Sequence, residues 1–470
     1  MSGSPAHGAK PLKDDYNLSH GKGSPWAWYP PRKSFRKLTA VVKQMDDFNL
    51  GITRRDYVKG MGTAAALGYT ANPSAAQDND NRSVGKDVKQ VAAVMTGYHK
   101  WWHPDVILGK IFDGWKQDGG PGPALQVVSM YIDQQKPDDL GQQVSVKYNV
   151  PIYNTIEKAV TVGGDRIPVD GVISIGETGN YPTNEKAQDL FPRRRFFAEI
   201  TDTFQKFDRI VPVFSDKHFG PVWSDAKWMY DRALQMNIPL MAGSSLPVSF
   251  RTPEISVPMG CQIEGVVGIG YSQLDKYGCH TLEAVQCLVE RRRQGETGVR
   301  WVQCLQGEAM WNAVDRGIVR KDLLAAALNV LPPGKRQSTP MRTNSQAALF
   351  LFQYNDGLLG NVLMLNGTVS AISVALKIKG QSQPLATHFE ERWQPSVPHF
   401  AYLLKAVERM IHTGVPSYPA ERTLLISGIL DRALTSRHQN QRKLETPELA
   451  IRYQPSDYPH APQPDLLAGI

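Results

Sequence analysis

The stretch Ile210-Val-Pro-Val-Phe-Ser-Asp-Lys-His-Phe-Gly-Pro221, followed by Ser224–Met236 and Asn237-Ile-Pro-Leu-Met-Ala-Gly243, sets the fold class. Ile210–Phe214 and Ile238–Ala242 are short runs of β-branched and large apolar residues, the composition of strands buried on both faces. Ser224–Met236, with Ala226 and Met229, reads as a helix between them. Strand, helix and strand in succession form a βαβ unit, whose two strands run parallel.

The same alternation extends upstream. Val91–Val94, Leu125–Tyr131 and Gly171–Ile175 read as further strands. Pro104–Trp115, Asp138–Tyr148, Thr155–Val160 and Glu185–Phe207, broken at Pro192, read as helices. The expectation is a Rossmann-type α/β domain over residues 85–248, with ligands at the carboxyl ends of its strands. From about Phe250 the pattern changes. Gln346–Phe352, Gly360–Leu365 and Ala371–Lys379 are strand-like, separated by the hairpin turns Asn355-Asp-Gly357 and Asn366-Gly367. An α+β domain with a mostly antiparallel open sheet is expected over 249–460. Tyr277-Gly-Cys-His280 is expected to precede a helix at Thr281–Arg293, and His399–His412 and Ala420–Arg437 to be helices packing back on the first domain.

The 470 residues are 41% apolar and 9% aromatic, enough for a sizeable core, and hold no run near the ~20 apolar residues that span a bilayer. The net charge is +8, but residues 1–60 carry +6 and residues 85–470 only +3. The basic balance therefore belongs to the leader and argues against a nucleic-acid partner. Residues 1–84 are expected to be largely unstructured. Within them, Arg54-Arg55-Asp-Tyr-Val-Lys59, the mildly apolar run Gly60–Tyr69 and the small residues Ser74-Ala-Ala76 follow the grammar of an export signal. The paired arginines resemble a twin-arginine (Tat) signal, which implies passage through the Tat machinery to the periplasm or another extracytoplasmic space. Without that signal the protein is cytoplasmic.

The strand ends select the loops that carry chemistry. Met95-Thr-Gly97-Tyr-His99-Lys100 keeps one glycine of the dinucleotide fingerprint G-x-G-x-x-G, at the position of closest backbone approach to a pyrophosphate. His99 and Lys100 are cations beside it. Asp133 ends the second strand, where an acid accepts from ribose hydroxyls. Gly176-Glu-Thr178-Gly-Asn180-Tyr-Pro182 offers Thr178 and Asn180, and the next strand runs into Asp216, Lys217 and His218. Cys261, Cys279, Cys287 and Cys304 match no compact zinc spacing. They read as buried thiols, with a Cys279 nucleophile or disulfides outside the cytoplasm as the lesser alternatives. Arg193-Arg-Arg195 and Arg291-Arg-Arg293 are expected to be solvated helix faces or helix-end charges.

Taken in order, Val213-Phe-Ser-Asp-Lys217-His-Phe-Gly-Pro with Asn237–Gly243, Tyr148–Tyr153, Gly278-Cys-His280-Thr-Leu-Glu283 and Pro419–Arg437 resemble the Gfo/Idh/MocA oxidoreductases, relatives of glucose–fructose oxidoreductase and inositol dehydrogenase, over roughly residues 88–455. The resemblance implies an NAD(P)-dependent oxidoreductase acting on a sugar or polyol. His280 would be the base, Lys217 the orienting cation, and Asp275 the third catalytic residue. Gly97, His99, Asp133, Thr178, Asn180 and Asp216 would face NAD or NADP, with Asp216 replacing the family's glutamate. Asp275 lies five residues before His280, where the family places its acid four before, and Lys276 takes that slot. The resemblance also implies a homo-oligomer paired through its open sheet face. No metal is called for. An exported member would hold its cofactor tightly. The rival readings are a catalytically silent sugar-binding or structural relative, and a glycoside-processing enzyme that oxidises its substrate transiently.

Overall fold

The computed structural model describes residues 87–337 and 340–461; the leader and its twin-arginine-like motif lie outside them. Strands β1 (Lys89–Met95), β2 (Leu125–Ile132), β3 (Ile152–Tyr153), β4 (Gly171–Ile175), β5 (Val213–Asp216) and β6 (Leu240–Gly243) form one sheet in the order β3-β2-β1-β4-β5-β6. All its neighbouring pairs are parallel. This is the doubly wound Rossmann order, which reverses direction between β1 and β4 and opens its ligand crevice there.

Helices α1 (His103–Asp113), α2 (Gly141–Tyr148), α3 (Ile156–Val160), α4 (Arg193–Lys206) and α5 (Trp223–Gln235) connect the strands. Their apolar residues pack on both sheet faces: α1 and a later helix on one side, α3, α4 and α5 on the other. Among the boundaries that differ from the sequence expectation, two have a plain cause. β5 starts at Val213, because Pro212 has no N–H to donate and Ile210 stands 44% exposed. The region before α4 is not helical. Asn184 and Gln188 close a turn there, and the helix begins only at Arg193, after Pro192.

The second sheet has eight strands in the order β14-β9-β10-β11-β8-β12-β13-β7. These are β7 (Arg251–Thr252), β8 (Ile263–Gly270), β9 (Val299–Gln306), β10 (Ala348–Tyr354), β11 (Leu359–Met364), β12 (Ile372–Ile378), β13 (Leu385–Phe389) and β14 (Leu444–Glu445). Only β11 and β8 pair in parallel. Against one face lies α6 (Leu274–Val289). Across the other lie α7 (Gly307–Asp315) and α8 (Lys321–Asn329), whose Met310, Trp311, Leu323 and Ala327 pack on Val267, Leu349, Leu351 and Leu363. The face on which subunit pairing was expected is thus covered by the chain's own helices. Tyr277–His280 lies inside α6 rather than before it, with Asp275 in the helix's first turn and the small Gly278 against Phe350 and Leu430.

Two helices complete the chain. α9 (His399–Thr413) joins the core of the first sheet through Leu403, Leu404, Val407 and Met410. α10 (Ala420–His438) packs on α5 and β6 of the first sheet and on α6 and β9 of the second. Among the described residues no helix is long and apolar enough to cross a membrane.

Candidate active site

The sheet order puts the ends of β4 and β5 side by side, and α6 passes over them. Lys217, immediately after β5, has φ 71°, a left-handed conformation that a lysine adopts only when its surroundings impose it. Its backbone exchanges two hydrogen bonds with Gly243 at the end of β6, Lys217 N to Gly243 O at 3.1 Å and Gly243 N to Lys217 O at 2.9 Å. Gly243 itself has φ 120°, and a Cβ there would lie 2.4 Å from Glu283 Oε1 and 2.9 Å from Thr423 Oγ1. Only glycine fits. Glu283, buried on α6, accepts from Ser244 N at 2.6 Å and so fixes the helix against this corner; burial pushes its carboxyl up to about 7.

This framework brings two of the three residues of the catalytic expectation together. Lys217 Nζ lies 2.8 Å from His280 Nε2 and 3.2 Å from Glu177 Oε2. Glu177 Oε1 in turn lies 3.6 Å from His103 Nε2, and His103 Nδ1 is 2.7 Å from Asp216 Oδ2. Burial, then the Lys217 charge, hold the His280 imidazole well below its ordinary value, so it is neutral at neutral pH. Its Nδ1 is buried with no hydrogen-bond partner among the described residues. Asp216 is held below the ordinary carboxylate range by His103 and Lys217 against the opposing effect of burial. His103, Glu177 and Asp216 stand close enough to share a cation. They are already matched as a His103–Asp216 and a Lys217–Glu177 pair, with the ammonium where a second positive charge would be repelled.

Asp275 is placed elsewhere. Five residues on a helix turn a side chain by about 140°, away from the face that carries His280. Asp275 Oδ2 accepts from Asp189 N at 3.1 Å, and Lys276 pairs with Asp189 at 2.8 Å, so both residues fasten the segment before α4. Burial pushes the Asp275 carboxyl up to about 6. One arginine of each triplet also differs from expectation, while Arg194, Arg195 and Arg293 are exposed as expected. Arg193 is 4% exposed, with NH1 3.3 Å from His218 Nε2, and Arg292 is 4% exposed, with its NH1 3.0 Å from Glu296. No cysteine among the described residues is bonded to another, and burial pushes the Cys279 thiol up to about 12, which removes it as a nucleophile.

The six residues expected at a nucleotide lie at or just after the ends of β1, β2, β4 and β5, and five of them, Gly97 apart, have a hydrogen-bonding or charged partner within the chain. A Cβ on Gly97 would stand 3.3 Å from Asp139 Oδ2, the same oxygen that accepts from Tyr98 N at 2.6 Å. His99 lies 3.9 Å from Asp138 and 4.0 Å from Asp139, its ring 4.0 Å from that of Trp102. Asp133 accepts from Tyr131 and Tyr181, each at 2.6 Å, and pairs with Arg195. Thr178 Oγ1 is 3.2 Å from Thr96 Oγ1. Asn180 N donates to Gln134 Oε1 at 2.9 Å, and Gln134 Nε2 returns a bond to Asn180 O at 3.1 Å. Together these bonds form a clasp from the loop after β2 to the loop after β4, across the end of β1. The donor set is of the kind a dinucleotide uses: a backbone N–H beside a small residue, hydroxyls, amides and an acid at the end of β2. The residues fit such a group by chemistry once the clasp parts.

Sequence reasoning missed Glu177 and His103. Glu177 stood in a loop already marked as lying at the sheet mouth, and that position was its signal. His103 opens α1 beside Pro104, and nothing in the sequence separates it from an ordinary helix-start residue.

No family model and no curated protein matches the chain. Solved structures do. It is similar to GenD2 from gentamicin A biosynthesis, crystallised with NAD, at 11% identity and a TM-score of 0.50, over 77% of this chain and 97% of that one. A putative NADPH-dependent oxidoreductase of Desulfitobacterium hafniense matches at 14% identity and TM-score 0.49, over 77% and 99%. The myo-inositol dehydrogenase of Lactobacillus casei, in complex with NAD(H) and myo-inositol, matches at 11% and 0.46, over 76% and 96%. The strand order of the first sheet, the mixed second sheet and the likeness to GenD2 agree: this chain has the fold of the Gfo/Idh/MocA-type dehydrogenases.

Proposed function

We propose that the protein is an oxidoreductase that removes hydride from a carbinol carbon of a sugar or polyol, with Lys217 and His280 handling the hydroxyl proton. The observation that carries this reading is the 2.8 Å approach of Lys217 Nζ to His280 Nε2 at the carboxyl ends of β4 and β5. A substrate oxygen entering there meets an ammonium donor and a neutral imidazole acceptor. The imidazole takes the hydroxyl proton as the bond to hydrogen at carbon weakens. The ammonium stabilises the negative charge developing on oxygen, and Glu177 keeps it aimed. NAD or NADP, when bound, supplies the hydride acceptor. Gly97, Tyr98 N, Thr96, Thr178, Gln134, Asn180 and Asp133 are the residues that would hold it. The Tat-like leader belongs to the same reading: a protein exported folded carries a tightly held cofactor with it.

The test is nucleotide-dependent absorbance at 340 nm across a panel of sugars and polyols, with nucleotide released on denaturation identified in parallel. Turnover in the wild type that is lost in Lys217→Met supports the reading. Neither turnover nor any bound or added nucleotide taken up would favour the second reading, a silent sugar-binding relative, for which the internally bonded clasp speaks.

A further inference from the structure

Arg392 lies on the segment that links β13 to α9. Its guanidinium rests over the Phe250 ring, 4.9 Å from the centroid, yet its Nε and one Nη are buried with no hydrogen-bond partner among the described residues. Those two N–H groups form one side of the guanidinium fork, the side that takes both oxygens of a carboxylate at once. Two buried N–H groups left unmatched are costly unless something completes them.

The nearby acids do not complete it. Glu390 is engaged by His388 Nε2 at 3.2 Å, and its backbone N–H is fixed to Phe250 O at 3.0 Å. Glu391 turns to Tyr271, whose hydroxyl is 3.5 Å away, and burial pushes its carboxyl up to about 7. The segment is held in place. Val397 N donates to Trp393 O at 2.7 Å, the buried Lys110 donates to Ser396 O, and the Trp101 and Trp393 rings meet edge-on at 6.1 Å.

The unmatched fork belongs to the neighbourhood of the reacting pair. Glu391, the residue before Arg392, reaches Tyr271, whose ring lies 4.9 Å from that of Tyr277, and the Tyr277 ring lies 5.7 Å from that of His280; the buried His399 follows on the same segment. Phe400 bridges the same ground, its ring 4.6 Å from His103 and 4.8 Å from His399. An extended substrate whose carbinol lies at Lys217 and His280 can therefore direct its far end toward Arg392.

We propose that Arg392 is a carboxylate anchor, and that the substrate is an acidic sugar, an aldonate or uronate, rather than a neutral polyol. The inference rests on the reading of Lys217 and His280 as the reacting end. The planar two-oxygen fork favours carboxylate over phosphate.

Calorimetry on the full chain, without nucleotide, tests it with D-gluconate and D-glucuronate against D-glucitol, D-glucose and D-glucose 6-phosphate. The acids are expected to bind at least tenfold more tightly than the neutral probes. Arg392→Met should abolish that preference and leave the neutral probes unchanged, and Arg392→Lys, which keeps the charge and loses the fork, should fall between. A thermal melt confirms that each variant folds; if Arg392→Met does not, the lysine variant carries the comparison alone. Equal binding of acid and neutral probes, gluconate binding unaffected by the substitutions, or an Arg392-dependent preference for the phosphate overturns the assignment. An acid preference that survives in a protein with no nucleotide-dependent turnover sinks the oxidoreductase reading and leaves the anchor standing.

Discussion

Tyr181→Phe isolates the cost of the clasp over β1. Tyr181 donates its hydroxyl proton to Asp133 at 2.6 Å, from the loop after β4 to the end of β2, and Asp133 is the acid positioned for a ribose. A hydrogen bond to a charged acceptor is worth roughly 1.5–3 kcal/mol when buried. Asp133 is half-buried and keeps Tyr131 and Arg195, so about 1 kcal/mol is the appropriate figure for this bond alone. If seating a dinucleotide requires that bond to part, deleting it in the free protein removes the cost. NADH should then bind about fivefold more tightly. Fluorescence titration of NADH against wild type and variant measures the shift directly, without turnover. The variant should also melt about 1 °C lower, since it loses about 1 kcal/mol in its nucleotide-free form. An unchanged or weaker NADH affinity alongside a lowered melting temperature would refute the argument, because the clasp would then be structural and not in the nucleotide's path.

Three further outcomes are expected. Lys217→Met should lower kcat about 10²–10³-fold, the loss expected when a charge-stabilising donor is removed, and His280→Gln about 10²–10⁴-fold, with steady-state kinetics separating kcat from KM. Gly243→Ala should cost about 3 kcal/mol in urea unfolding, from a side chain forced into positive φ and against Glu283; a melting curve identical to wild type contradicts the described corner. His399→Asn should gain stability over wild type as pH falls from about 6.5 to 5. The unfolded chain takes a proton on His399 in that window while the folded one, held down to about 3, does not, so wild type loses about 1.4 kcal/mol per pH unit that the variant keeps. Asp275, Glu283 and Glu391, raised by burial to about 6, 7 and 7, act with the opposite sign but equally in both proteins, and cancel in the difference. Denaturant midpoints at the two pH values provide the check.

The alternation of strands and helices up to Gly243 was legible in the sequence because apolar runs and strand ends mark themselves locally; the meeting of Lys217 and His280, 63 positions apart, was expected only through the family resemblance of their motifs. β8 was not. Its glycines look like breaks, yet a Cβ on Gly270 would stand 2.0 Å from Thr281 Oγ1, so the strand needs glycine to let α6 lie close. The pairing of Glu177 with Lys217 and of His103 with Asp216 joins residues 40 to 113 positions apart, and the β1-β4-β5 order of the sheet brings them together. The burial of Arg193 and Arg292 was equally hidden, because a basic triplet on a helix reads as solvated until the acids and imidazoles that meet it are placed.

α10 runs between the two sheets and is buried along nearly its whole length, from Ala420 through Ser436. A rod gripped from both sides acts as a shared axle. Opening the molecule like a hinge would strip Leu424, Leu425, Ile429 or Leu430 from one partner, at about 2 kcal/mol for each side chain returned to water. The two sheets therefore share one frame through this helix.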